Sequence, residues 1–157
     1  MKYELQDLLR VRNLRKNRAN DAVLKAKRHL AETEELVAKS EKKLNDFIAV
    51  KPKYIDQIYV RALNKKSFKR NYMDLIKLKI SKLDEHQSKL AIELKKAQGI
   101  RELALKDLEK CREALKQATV DLDKIEEHKK TWQAEVAILD QLAEDKELED
   151  FKTKKQT

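Results

Sequence analysis

The chain has 157 residues, 41% of them charged and 5% aromatic, with one Gly, one Pro and a formal net charge of +9. So few turn-forming residues argue against a β-rich or loop-rich domain, and so few aromatics against a wide globular core. The lone Cys111 excludes an internal disulfide and suits a reducing compartment. No apolar run approaches the ~20 residues of a membrane span, and the charged start lacks the apolar stretch of a signal peptide. These features predict a soluble, cytoplasmic, all-α chain.

The first predicted element is a helix over about residues 3–50. Leu5, Leu9, Arg12, Lys16, Ala19, Val23, Ala26, Leu30, Thr33, Val37, Ser40, Leu44 and Phe47 recur at alternating three- and four-residue steps. Such a seam keeps one stripe facing a partner helix. Pro52 lacks a backbone donor and disfavours the α region for Lys51, so the helix is expected to stop or kink near residue 50. A connection over about 51–66 follows, in which Tyr54, Ile55, Ile58, Tyr59, Ala62 and Leu63 sit at helical spacing, as a short helix or a kinked continuation. Asn64-Lys65-Lys66-Ser67 is the best turn, with Ser67 a candidate N-cap.

The second long helix is predicted over about 67–149, with a frayed tail at 150–157. Its seam reads Met73, Ile76, Ile80, Leu83, Gln87, Leu90, Leu94, Ala97, Arg101, Ala104, Leu108, Cys111, Leu115, Ala118, Leu122, Ile125, Lys129, Trp132, Val136, Leu139 and Ala143. A short connection requires the two helices to run antiparallel, giving a single coiled-coil hairpin over residues 1–157. At ~1.5 Å per residue the second helix outruns the first, which leaves the stretch from Leu122 to Ala143 without an intramolecular companion and marks it as a docking surface. Within this helix Gly99 is either a tolerated defect or a point of bending or close approach. Cys111, on the seam, reads as a small buried hydrophobe or a reactive thiol.

Charge is unevenly distributed. Residues 1–30 hold nine Lys and Arg against three Asp and Glu, and residues 51–82 hold ten against two, whereas residues 123–157 hold seven against ten. Arg10, Arg12, Arg15, Lys16 and Arg18 crowd the first helix. They are either solvated, snorkelling side chains or a surface for an acidic partner.

Catalytic signatures are missing. His29, His86 and His128 are far apart, no metal-ligand spacing occurs, and one glycine forbids a phosphate loop. Catalytic, cofactor and metal residues are therefore expected to be none, with no small-molecule substrate. A nucleic-acid-binding coiled coil is disfavoured, because the cations are diluted by 28 acidic residues and stacking aromatics are few.

Tyr3-x-Leu5-x-x-Leu8-Leu9-x-x-Arg12 near the start and Glu127-His128-Lys129-x-x-Trp132-x-x-Glu135 near the end, on a small basic two-helix coiled coil, resemble the YscO group of bacterial type III secretion stalk proteins, related to flagellar FliJ. The resemblance implies a non-enzymatic, cytoplasmic stalk, peripheral to the inner-membrane secretion apparatus. Its terminal segments would insert into the centre of a hexameric secretion ATPase, much as the gamma stalk does in rotary ATP synthases. Its hairpin end would approach the export gate protein, with secretion chaperones as further partners and no direct membrane insertion. On this mapping the ATPase-binding residues are Leu5, Leu8, Leu9, Arg12, Arg15, His128, Trp132 and Leu139. Trp132 could equally pack against the first helix. Tyr54, Ile55, Ile58, Tyr59, Phe68 and Tyr72 form a gate- or chaperone-binding candidate by location and residue type, or else a small cap on the coiled coil. A general coiled-coil scaffold or chaperone-like protein is the alternative reading. Injectisome or flagellum, and monomer or domain-swapped dimer, stay open.

Overall fold

Two apolar seams with so few helix breakers leave the chain little alternative to long helices, and the computed structural model is all-α. It describes residues 3–64 and 69–154. Helix α1 spans Gln6–Leu63 and helix α2 spans Arg70–Lys154. The proposed Ser67 cap, most of the Asn64–Ser67 turn, Phe68 and the tail beyond residue 154 lie outside the described residues.

The chain divides into two compact units, one formed by residues 1–24 with 109–157 and the other by residues 25–108. In the first unit, α1 and α2 run antiparallel. Arg12 of α1 bonds Asp121 at 2.7 Å, Gln6 accepts a hydrogen bond from Lys129 at 3.0 Å, and Tyr3 meets His128. Val23 and Leu122 form its buried seam positions, at 5% and 4% exposure. Leu9, Lys16 and Ala19 of α1, with Leu5 just before it, face them half-buried, as do Leu115, Ala118, Ile125, Trp132 and Val136 from α2.

The second unit has the same antiparallel arrangement. Glu34 pairs with Arg101 at 3.7 Å, Phe47 packs edge-on against His86 with ring centroids 4.7 Å apart, and Lys51 donates to both Asp84 and Gln87 at 2.6 Å. Its buried apolar residues are Ala62, Ile76, Ala97, Ala104 and Leu108. Alanines at seam positions let helix backbones approach closely, because interaxial distance follows the side chains at the contact. Thr33 is buried too, and its hydroxyl donates to the Leu30 carbonyl at 2.7 Å, so burial leaves no orphan oxygen.

Two expectations need correction. Helix α1 does not end near residue 50; it passes through Pro52 to Leu63, and residues 51–63 belong to it. A proline inside a helix removes one hydrogen bond and costs about 3 kcal/mol in isolation. Here the seam continues on the far side as Ile55, Ile58 and Ala62, all shielded, while Phe47 and Lys51 anchor the preceding turn to α2. Contacts across the pair outweigh the local rule. At the other end, α2 remains helical past residue 149 to Lys154.

The second correction concerns the unpartnered stretch. A longer α1 reaches further along α2, so Leu122 is buried and Ile125, Trp132 and Val136 are half-buried. Only from Ala137 to Phe151 is every residue of α2 exposed. For Gly99, which the sequence leaves open between two readings, a methyl group would meet nothing within 4 Å. Close helix approach at that position is thereby excluded.

Candidate functional site

The N-terminal segment reaches the α2 surface before α1 begins. The Gln6 amide hydrogen-bonds the Tyr3 carbonyl at 3.3 Å, a turn that folds Tyr3 back onto α2. Its hydroxyl is hydrogen-bonded to His128 Nδ1 at 2.8 Å. Its ring lies 5.2 Å from that of Trp132 in a tilted arrangement, and the Lys129 ammonium stands 6.0 Å from its centroid. At 6% exposure, Tyr3 is the most enclosed aromatic side chain of this unit. The geometry satisfies both ends of an amphipathic residue, with the ring on an apolar surface and the hydroxyl on a polar partner.

The eight residues assigned to the ATPase end all fall in this unit. Leu5 and Leu9 face α2 half-buried, Leu8 points outward at 37% exposure, and Arg15 is exposed. Arg12 is engaged within the chain, since its guanidinium meets the Asp121 carboxylate, whose other oxygen accepts from Gln117 at 3.0 Å. Its Nε is buried without a partner. His128 and Trp132 both meet Tyr3, which precedes α1, and Leu139 is 54% exposed.

The stretch marked from the sequence, Leu122 to Ala143, stops short of Leu148 and Phe151. Ile138, Leu142, Leu148 and Phe151 are 53–70% exposed and extend the apolar surface of α2 beyond Leu139. Leu148 and Phe151 lie past the last regular seam position, Ala143, which is why a search for heptads passed over them. Among the fifteen residues 137–151 are six carboxylates, Asp140, Glu144, Asp145, Glu147, Glu149 and Asp150, against the single cation Lys146. This segment is thus apolar and acidic at once. Tyr3 was visible as part of a motif, but two residues before Leu5 it falls outside the seam spacing, and its role comes from the turn.

The second candidate set lies in the other unit. Tyr54 and Tyr59 are exposed, at 44% and 42%, whereas Ile55, Ile58 and Tyr72 are half-buried. Three members of the set, Ile58, Tyr72 and Tyr54, line two separate hollows. Ile58 and Tyr72 line a cavity of about 170 Å³ together with Ala62, Ile76 and the cations Arg61 and Lys79. Tyr54 joins Phe47, Val50, His86 and Leu90 along a wider groove edged by Lys43 and Asp46.

Among the described residues no group of three or more His, Cys, Asp or Glu is placed to hold a metal ion. Cys111 is a free, half-buried thiol on the seam. No described helix is long and apolar enough to cross a membrane.

Two long antiparallel helices packed along heptad-spaced seams define an all-α helical hairpin of the coiled-coil type. The family model "Type III secretion protein YscO" matches residues 5–154, and the chain belongs to the YscO family of type III secretion proteins. No curated protein and no solved structure matches it.

Proposed function

We propose that this protein is a non-enzymatic stalk of its secretion system, binding in the centre of the hexameric secretion ATPase through the unit that contains both termini. The same chain couples that ATPase to the export gate and to secretion chaperones through the unit formed by residues 25–108. Its place is in the cytoplasm, peripheral to the inner-membrane apparatus. Family membership supports the system, and one observation supports the contact: α2 presents Ile138, Leu139, Leu142, Leu148 and Phe151 to solvent over a segment with no residue shielded. A helical apolar surface of this kind gains nothing from water and gains from a protein wall.

The mechanism follows from differential contact. A single asymmetric stalk in a ring touches the ring's subunits unequally, and a ligand shifts a conformational equilibrium only by its difference in affinity for the states. Leu139→Asp with Leu142→Asp should abolish stimulation of ATPase hexamer assembly and turnover while leaving the helix content of the stalk unchanged. Full stimulation by that variant would refute the proposed contact.

A further inference from the structure

The end of the second unit combines cations and aliphatic side chains in a way that helix pairing does not explain. From Lys69 to Lys82 the chain carries Lys69, Arg70, Lys77, Lys79 and Lys82 against the one carboxylate Asp74. On the same stretch Leu75 is 43% and Leu78 52% exposed, and on α1 Val60 is 54% and Leu63 73% exposed. Leu75, Leu78, Lys79 and Lys82 recur at steps of three and four, so they share one face of α2. Tyr59 and Leu63, four apart, do the same on α1.

Between the two helices lies the 170 Å³ cavity. Ile58, Ala62 and Ile76 form an apolar floor, Arg61 and Lys79 stand at its rim, and Tyr72 lines it beside them. Neither Arg61 nor Lys79 makes an ion pair among the described residues. The hollow has room for a phosphate and the first atoms of a glycerol, with two cations for the anion and a greasy floor for the methylenes.

We propose that this end of the protein adsorbs to an anionic lipid surface, seating a lipid phosphate between Arg61 and Lys79 while Leu63, Leu75 and Leu78 dip into the interface. Cations together with exposed aliphatic residues are the composition of a helix that lies on a bilayer, and no described helix could span one. A nucleic acid would satisfy the cations but leave the aliphatic side chains without a role, since strand binding relies on stacking aromatics. The proposal stands apart from the ATPase contact, which concerns the other unit.

Co-sedimentation of the full chain with vesicles tests it, comparing phosphatidylcholine containing phosphatidylglycerol with phosphatidylcholine alone. The wild-type protein should sediment with the anionic vesicles only. Each Lys or Arg near an anionic surface raises partitioning about fivefold, so Arg61→Gln with Lys79→Gln should weaken it at least tenfold. Leu75→Ser with Leu78→Ser should weaken it at unchanged charge, and Arg10→Gln with Arg18→Gln, in the other unit, should leave it within about twofold of wild type. Inorganic phosphate at the same ionic strength should not compete, which separates a lipid from a free anion. Circular dichroism should report the same helix content for every variant, since all six positions are exposed. Absence of sedimentation at low salt would overturn the proposal, and so would equal loss from the Arg10/Arg18 variant, insensitivity to the leucine pair, or binding to RNA without binding to vesicles.

Discussion

Replacing Tyr3 by Ala isolates the contact that closes the terminal unit. With 6% exposure, the side chain keeps nearly all of its surface from water. An aromatic ring of about 200 Å² is worth about 5 kcal/mol at ~25 cal/mol per Å², and the hydrogen bond to His128 contributes about 1 kcal/mol more. Against this stands the ordering of Tyr3, Glu4 and Leu5, which precede the helix and whose backbones each cost about 1–2 kcal/mol to fix. The difference is about 1.5 kcal/mol, which keeps about nine molecules in ten closed.

Tyr3→Ala removes most of the favourable side of that balance, so the segment should open in nearly every molecule. Local opening of this kind leaves the rest of the pairing intact. Trp132 is the only tryptophan in the chain, which makes it an unambiguous probe. Its emission should shift to the red and its acrylamide quenching should rise in Tyr3→Ala, with helical circular dichroism preserved. Tyr3→Phe loses only the hydroxyl bond, about fivefold in the closed-to-open ratio, and should fall between the two. Unchanged Trp132 emission in Tyr3→Ala would refute the clamp, as would loss of helix throughout the chain.

Gly99→Ala should stabilise the protein by about 0.5–1 kcal/mol, because alanine is the better helix former and the added methyl meets nothing within 4 Å; an unchanged or lower urea midpoint would contradict that environment. For the Arg12–Asp121 pair, whose side chains are 29% and 28% exposed, Asp121→Ala should destabilise by about 1–2 kcal/mol, since it strands a guanidinium whose Nε already lacks a partner. Arg12→Met combined with Asp121→Leu should return to within about 1 kcal/mol of wild type, and a double variant as unstable as the sum of the singles would show that the pair is not coupled.

Both seams were legible in advance because burial on a helix pair follows spacing alone. All the α1 positions from Leu5 to Phe47 are shielded, and so are those of α2 from Ile76 to Val136 with the exception of Arg101. That exception is itself chemical, since Arg101 sits on the seam with its side chain 45% exposed and its Nε toward Glu34. Pro52 misled because its penalty is local while its compensation is not. Phe47 meets His86 and Lys51 meets Asp84 and Gln87, all of them more than thirty residues away, and no window around residue 52 contains them. The candidate site suffered by propagation. A first helix thought to end near residue 50 made Leu122 and Trp132 look unpartnered, whereas the exposed apolar segment begins after Val136.

The polar residues on the seams carry information that the apolar ones lack. Leu or Ala at every position would let one helix slide past the other by a heptad with little change in buried area, whereas a polar seam residue is satisfied in one register only. Lys51 reaches Asp84 and Gln87, Arg12 reaches Asp121, and Lys129 reaches Gln6. A slip of seven residues would break each of these and leave a part-buried ammonium or guanidinium without its acceptor. Register also determines where Tyr3 lands on α2 and hence where the shielded seam ends. With Tyr3 on Trp132, the residues left for a partner are those from Ala137 onward. A slip in either direction would bare Trp132 or cover Leu139, so the pairs that lock the register also set the extent of the exposed apolar segment on which the proposed ATPase contact rests.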